Sequence, residues 1–184
     1  TGNTTRYANL NDIANQSFFQ KWSDRNIFTI LINAFFNGEI KAYDPAGNEL
    51  TTESYREEVI KQYATEDYYL DESEGMRYDL SYTAYSENLD MISVSYHVEL
   101  DESGTLNKEE PYRLTLCSGP ESNYRGVVMP LVSFDFKEAM NVLSSSGFKW
   151  YANDNHADSC TLAEAIRYNR LFWNKTIVCD GNDG

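Results

Sequence analysis

The sequence predicts an α+β fold, a single compact domain in which a small antiparallel sheet is flanked by N-terminal and C-terminal helices. Two observations carry this. Apolar residues recur at helical spacing early in the chain, alternate with polar ones through the middle, and return to helical spacing near the end. The composition, 41% apolar and 14% aromatic over 184 residues, is that of a folded globule able to bury a core. No repeat or low-complexity linker divides the chain, so residues 1–184 read as one domain.

Taken in order, residues 8–22 form a polar-aromatic lead-in with room for a short helix around Asn11 to Trp22. Ile27, Ile30, Leu31, Ala34 and Phe35 then place one apolar stripe on a helix. Ser23 or Asp24 can cap its start, and Gly38 can end it in the left-handed conformation. Glu39 to Tyr43 alternates as a strand does, and Asp44-Pro45-Ala46-Gly47-Asn48 has turn chemistry. Ser54-Tyr55-Arg56-Glu57 reads as a capping box opening a second helix through Val59, Ile60 and Tyr63. Residues 66–74, EDYYLDESE, read as an acidic loop.

The middle is β-rich. Tyr78, Leu80, Tyr82 and Ala84 alternate, as do Ile92, Val94, Tyr96 and Val98 within residues 91–100. DESGTLNKEE reads as the connection to a returning strand, PYRLTLC, at 111–117. A further strand carries Pro130, which argues for an edge or a bulge. Phe136 to Leu143 predicts a helix. Thr161-Leu162-Ala163-Glu164 is a second capping box, opening a helix to about Trp173, and an extended KTIVC follows.

Fifteen basic against 29 acidic residues give a net charge of −14, which repels phosphate backbones and anionic membrane surfaces. No apolar run approaches the roughly 20 residues a bilayer requires. The start at Thr1-Gly2-Asn3 suggests a trimmed product whose export signal, if any, has been removed.

Searching for chemistry yields little. His156, Asp158 and Cys160 alternate but lack a second ligand cluster, so no metal is expected there. A calcium loop beginning at Asp101 would place Leu106 where the sharp-turn glycine belongs. The acidic stretch at 66–74 is the place left for a weak calcium site. A Cys–His dyad would need Cys117 or Cys160 beside His97 or His156, and no dinucleotide, P-loop or nucleophile-elbow motif occurs. The expectation is a protein that is not an enzyme and takes no cofactor.

The ordered pieces resemble a known family. NLNDIANQSFF (9–19) followed by NIFTILINAFFNGEIKAYDP (26–45) is similar to the opening of the GldN/PorN family of gliding-motility and type 9 secretion proteins. Gly38, Glu39, Ile40, Ala42, Tyr43 and Asp44 occupy that family's Gly-Glu-Ile and Ala-Tyr-Asp places. The 96–120 stretch resembles its hairpin, returning as a strand with Arg113 before Pro120, although Ser95-Tyr96-His97 stands where the family carries Glu-Asp-Trp. The family's closing Asn-Asp pair, capped helix and Phe correspond to Asn153, Asp154, Arg167 or Arg170, and Phe172. The resemblance spans residues 8–178, without the family's upstream basic, Trp-containing segment.

It implies a non-enzymatic periplasmic subunit, associated with the outer membrane through a GldK/PorK-like lipoprotein in ring-like assemblies. Self-association and contact with the periplasmic part of an inner-membrane motor are also implied. Trp150, Tyr151 and Trp173 are candidate partner contacts, with core packing as the ordinary alternative for each. An exported glycan- or peptide-binding module using exposed tyrosines is the other reading, and a small hydrolase a third.

Three cysteines allow one disulfide. A helix of about 13 residues from Thr161 covers roughly 20 Å, and six extended residues return about the same distance. A folded-back tail would thus bring Cys160 to Cys179, a bridge an oxidising compartment would permit. Cys117 reads as a small apolar residue at a sheet margin.

Overall fold

The computed structural model describes residues 2–9, 27–55, 89–123, 125–146, 149–151, 159–168 and 173–180. Among the described residues nine strands are β1 (Gly2–Asn9), β2 (Ala42–Tyr43), β3 (Glu49–Leu50), β4 (Met91–Leu100), β5 (Leu106–Ser118), β6 (Met129–Asp135), β7 (Lys149–Tyr151), β8 (Ser159–Thr161) and β9 (Lys175–Asp180). The helices are α1 (Ile27–Phe36), α2 (Thr52–Tyr55), α3 (Phe136–Ser145) and α4 (Leu162–Arg167). Seven strands form one antiparallel sheet in the order β3-β2-β6-β5-β4-β1-β9, and β7 and β8 form a separate ribbon.

The α+β class is therefore correct; the main sheet is larger than expected, at seven strands, and the first N-terminal helix expected to flank it, around Asn11 to Trp22, lies outside the described residues. Strands from both end regions of the chain join the sheet, β1 lying between β4 and β9. In β1 the positions sharing the core face are Thr4, Arg6 and Ala8, opposite Tyr96, Val94 and Ile92. Only Ala8 is apolar, so no alternation marks the strand. Arg6 is accommodated by an ion pair of 2.8 Å to Glu109 and by the Tyr96 ring, 4.9 Å from its guanidinium carbon.

Helices α1 and α3 pack together, α3 lies on β5 and β6, and α4 contacts α3. Their apolar faces meet Ile92 and Val94 of β4, Leu114 and Leu116 of β5, and Val132 and Phe134 of β6 in one core. Ile27, Leu31 and Phe35 belong to that core, whereas Ile30 is only partly buried. The other face of the sheet is lined by short polar side chains in register, Ser133 beside Thr115 and Thr115 beside Ser93. Ser93, Thr115 and Ser133 are nonetheless buried. Met91 and Cys117 share that face and are buried too, so these strands are covered on both sides.

Helix α1 ends as its sequence predicts. Gly38 sits at φ +77°, with Gly38 N donating to Phe35 O and Glu39 N to Ala34 O, which is a Schellman closure. The second helix starts three residues earlier than predicted. Thr51 caps α2, its Oγ1 accepting from Ser54 N at 3.1 Å while Ser54 Oγ accepts from Thr51 N at 2.9 Å. Residues 56–63 lie outside the described residues, as do the 11–22 helix, the Ser23 or Asp24 cap, the 66–74 loop and the 78–84 alternation.

The two hairpin turns share one device. Asp44 N donates to Asn48 O, and Asp101 N to Thr105 O. Each Asp carboxylate accepts from the backbone N–H four residues on, and Gly47 and Gly104 have positive φ. The 101–105 turn is half the predicted connection, because Leu106 to Glu110 extend as strand. Within it Asp101 Oδ1 accepts from both Ser103 N and Thr105 N. Pro130 sits at a bulge, opposite Cys117 where the β5–β6 register shifts. Helix α4 follows Thr161 but is shorter than expected, and Trp173 is not helical.

Candidate partner-contact surface

The end of α1, the β2–β3 hairpin and the start of α2 enclose an open groove of about 550 Å³. The Schellman turn sets Glu39 outward, and Ile40 and Leu50 turn inward from the chain on either side of the hairpin. Phe35 forms part of the lining. It stacks edge-on against fully buried Tyr55 at 5.6 Å, which ties the groove to α2. Glu39, Glu49 and Glu138 bring three carboxylates to the groove against the single ammonium of Lys41. Lys41 Nζ lies 3.9 Å from Glu49 Oε1, an exposed pair that contributes little to stability. An apolar lining with a carboxylate rim suits an extended cationic side chain packing its stem.

Family-type residues converge here. Gly38 and Glu39 line the groove, while Tyr43 joins the hairpin to the main sheet through Ser133, and Asp44 closes its turn. The hydrogen bond from the Asn48 backbone, helped by that residue's side chain, holds the Asp44 carboxyl below its ordinary range against desolvation. Arg113 is elsewhere, as the first β5 residue to pair with β6. Its guanidinium lies 5.8 Å from the Tyr112 ring, which stacks on His97 at 3.9 Å.

Pro120 follows β5 in a loop that sequence reading did not single out. Buried Asp90 accepts from Gly119 N at 2.7 Å and from Ser122 Oγ. Asn123 Nδ2 then donates to Gly119 O at 2.7 Å and Val127 O at 2.8 Å. No local signal could have revealed this lock, since Asp90 and Gly119 are 29 residues apart.

Cys117 and His97, one pair from which a Cys–His dyad would have to be built, are not brought together: Cys117 pairs opposite Met91 and His97 opposite Glu110. Cys117 is a free, buried thiol 3.9 Å from Ser93 Oγ. Cys160 lies on β8 opposite Trp150, and Tyr151 opposite Ser159, while Cys179 lies on β9 opposite Asn3. Trp173 is half-buried and packs against the core. Asn153, Asp154, His156 and Phe172 lie outside the described residues. Among the described residues no cluster of His, Cys, Asp or Glu could hold a metal, and no helix is long and apolar enough to cross a membrane.

The family model of the gliding motility associated protein GldN matches residues 3–173. This chain belongs to the GldN family. The match begins in β1 and ends just before β9, covering the whole groove, the hairpin and the Asp90 lock. A comparison with curated proteins finds no match. As a GldN-family member the chain is a gliding-motility and type 9 secretion-associated protein of the cell envelope.

Proposed function

We propose that this chain is a non-enzymatic, single-domain periplasmic subunit that assembles with a GldK/PorK-like outer-membrane lipoprotein, and with further copies of itself, into a ring-like structure. The reading rests on the family match over residues 3–173. The meeting of Gly38 and Glu39 in one open, acid-rimmed groove supports it, because a recognition surface is what a scaffold subunit requires. In this reading the groove takes a cationic partner side chain, and the motor contact is made by another surface of the assembly.

Size-exclusion chromatography with light scattering, on the chain alone and mixed with a purified GldK-type lipoprotein, tests it. A defined high-order complex is expected. Two species that elute separately at micromolar concentration would overturn it. Glu39→Lys with Glu49→Lys, both surface changes, should weaken co-elution without altering the melting temperature.

A further inference from the structure

Beyond the groove, the β4–β5 hairpin runs out of the sheet as an arm. Strand β6 pairs with β5 only from Arg113 onward, so Leu106 to Tyr112 form an edge facing no other strand among the described residues. On the β4 side, β1 reaches only to Val98. An unpaired strand edge offers its N–H and C=O groups to an incoming chain. We propose that the β5 edge over Leu106 to Glu110 is a strand-addition site for an extended, lysine- or arginine-bearing segment of another protein.

Three features point to that occupant. The β4 positions that face the core continue outward to Leu100, paired with Leu106, and both leucines are about half exposed, at 51% and 49%. They provide an apolar landing for alternate side chains of the added strand. The exposed acids Glu99, Glu102 and Glu110 outnumber the arm's single base, Lys108, which spans 3.8 Å to Glu110 as an exposed, weak pair. Asp101 is engaged by its own turn and Glu109 by Arg6, so the remaining charge is acidic and open to a cation. A second copy would set acidic arm against acidic arm in a chain of net charge −14, which disfavours self-pairing.

The arm is also prepared for this. The Arg6–Glu109 ion pair fastens its base to β1, so little ordering cost falls on binding. Pro111 and the extra residue Tyr112, bulged between the Ser95–Arg113 and Tyr96–Pro111 pairs, close the inner end of the edge. That leaves five residues, about 17 Å, with a second bulge at Asn107 between the Glu99–Lys108 and Leu100–Leu106 pairs, which admits a short strand and rejects indiscriminate sheet growth.

The test uses the ¹⁵N-labelled full chain and two eight-residue peptides, one alternating lysine with valine and one alternating glutamate with valine. The lysine peptide is expected to shift and protect the amides of Leu106 to Glu110, and the glutamate peptide is not. Glu99→Lys with Glu110→Lys should weaken the lysine peptide by about tenfold or more, as two lost charge pairs and two new repulsions require, and admit the glutamate peptide. Leu106→Asn should weaken binding of the lysine peptide without reversing charge preference. Shifts outside the arm, or an affinity unchanged by charge reversal, would overturn the proposal. So would sedimentation showing a dimer of the wild-type chain that Leu106→Asn abolishes, which would make a second copy the occupant.

Discussion

Asp90 and Gly119 show how a single pair can hold a loop. A Cβ added at Gly119 would lie 2.9 Å from Asp90 Oδ1 and 3.1 Å from Met91 Sδ. Asp90 cannot swing aside without breaking its bonds to Gly119 N and Ser122 Oγ. Gly119→Ala should therefore cost about 1–3 kcal/mol, the price of a buried hydrogen bond unmade. Urea melts of the two proteins check it, and equal midpoints would refute the lock. Cys117 offers a chemical counterpart. Burial pushes its thiol up to about 12, despite the hydrogen bond to Ser93. Native protein at pH 8 should leave it unalkylated by iodoacetamide while denatured protein reacts fully, as peptide mass spectrometry would read. Burial pushes the Tyr96 phenol up to about 12 as well. Both folded groups keep protons the unfolded chain sheds, so stability is retained below the unfolded values and lost as pH rises from about 9 toward 12. Melting curves across that window should fall, and Cys117→Ala should lessen the fall. None of this was visible in the linear sequence, where Cys117 read only as a small apolar residue.

Elements were legible where local chemistry and tertiary role agree. Strand β4 matches its alternation end to end, because Ile92, Val94, Tyr96 and Val98 all face the core. Helix α1 was readable from stripe and stop alike, Gly38 supplying the only conformation that closes it there. Truncating Leu31 or Ile27, both fully buried, should cost about 2–5 kcal/mol, and Ile30→Ala less, since Ile30 is partly exposed. A loss below about 1 kcal/mol for both buried sites, measured by denaturant titration, would remove α1 from the core. The β5 start was misjudged because Lys108, Glu109 and Glu110 look like loop residues, yet a projecting arm is solvated and tolerates them. The α2 start moved because Thr51, not Ser54, supplies the cap. The groove was half legible: Gly38 and Glu39 stood out as motif residues, but Glu138 comes from a helix 99 residues further on.

For the whole molecule, the sheet proved larger than its apolar alternation implies, since β1 joins through Arg6 and register, not through a hydrophobic stripe. The oxidising location we propose makes a Cys160–Cys179 bridge the expected pairing, with Cys117 left free. Non-reducing peptide mapping checks it, and three free thiols or a bridge through Cys117 would contradict it. Strand β1 has a consequence of another kind. One of its neighbours, β4, is made some 80 residues after it, and the other, β9, some 170 residues after it. A ribosome therefore releases β1 long before either flanking ladder exists, and its β9 side is the later of the two to close. Such late-closing pairings are slow to find.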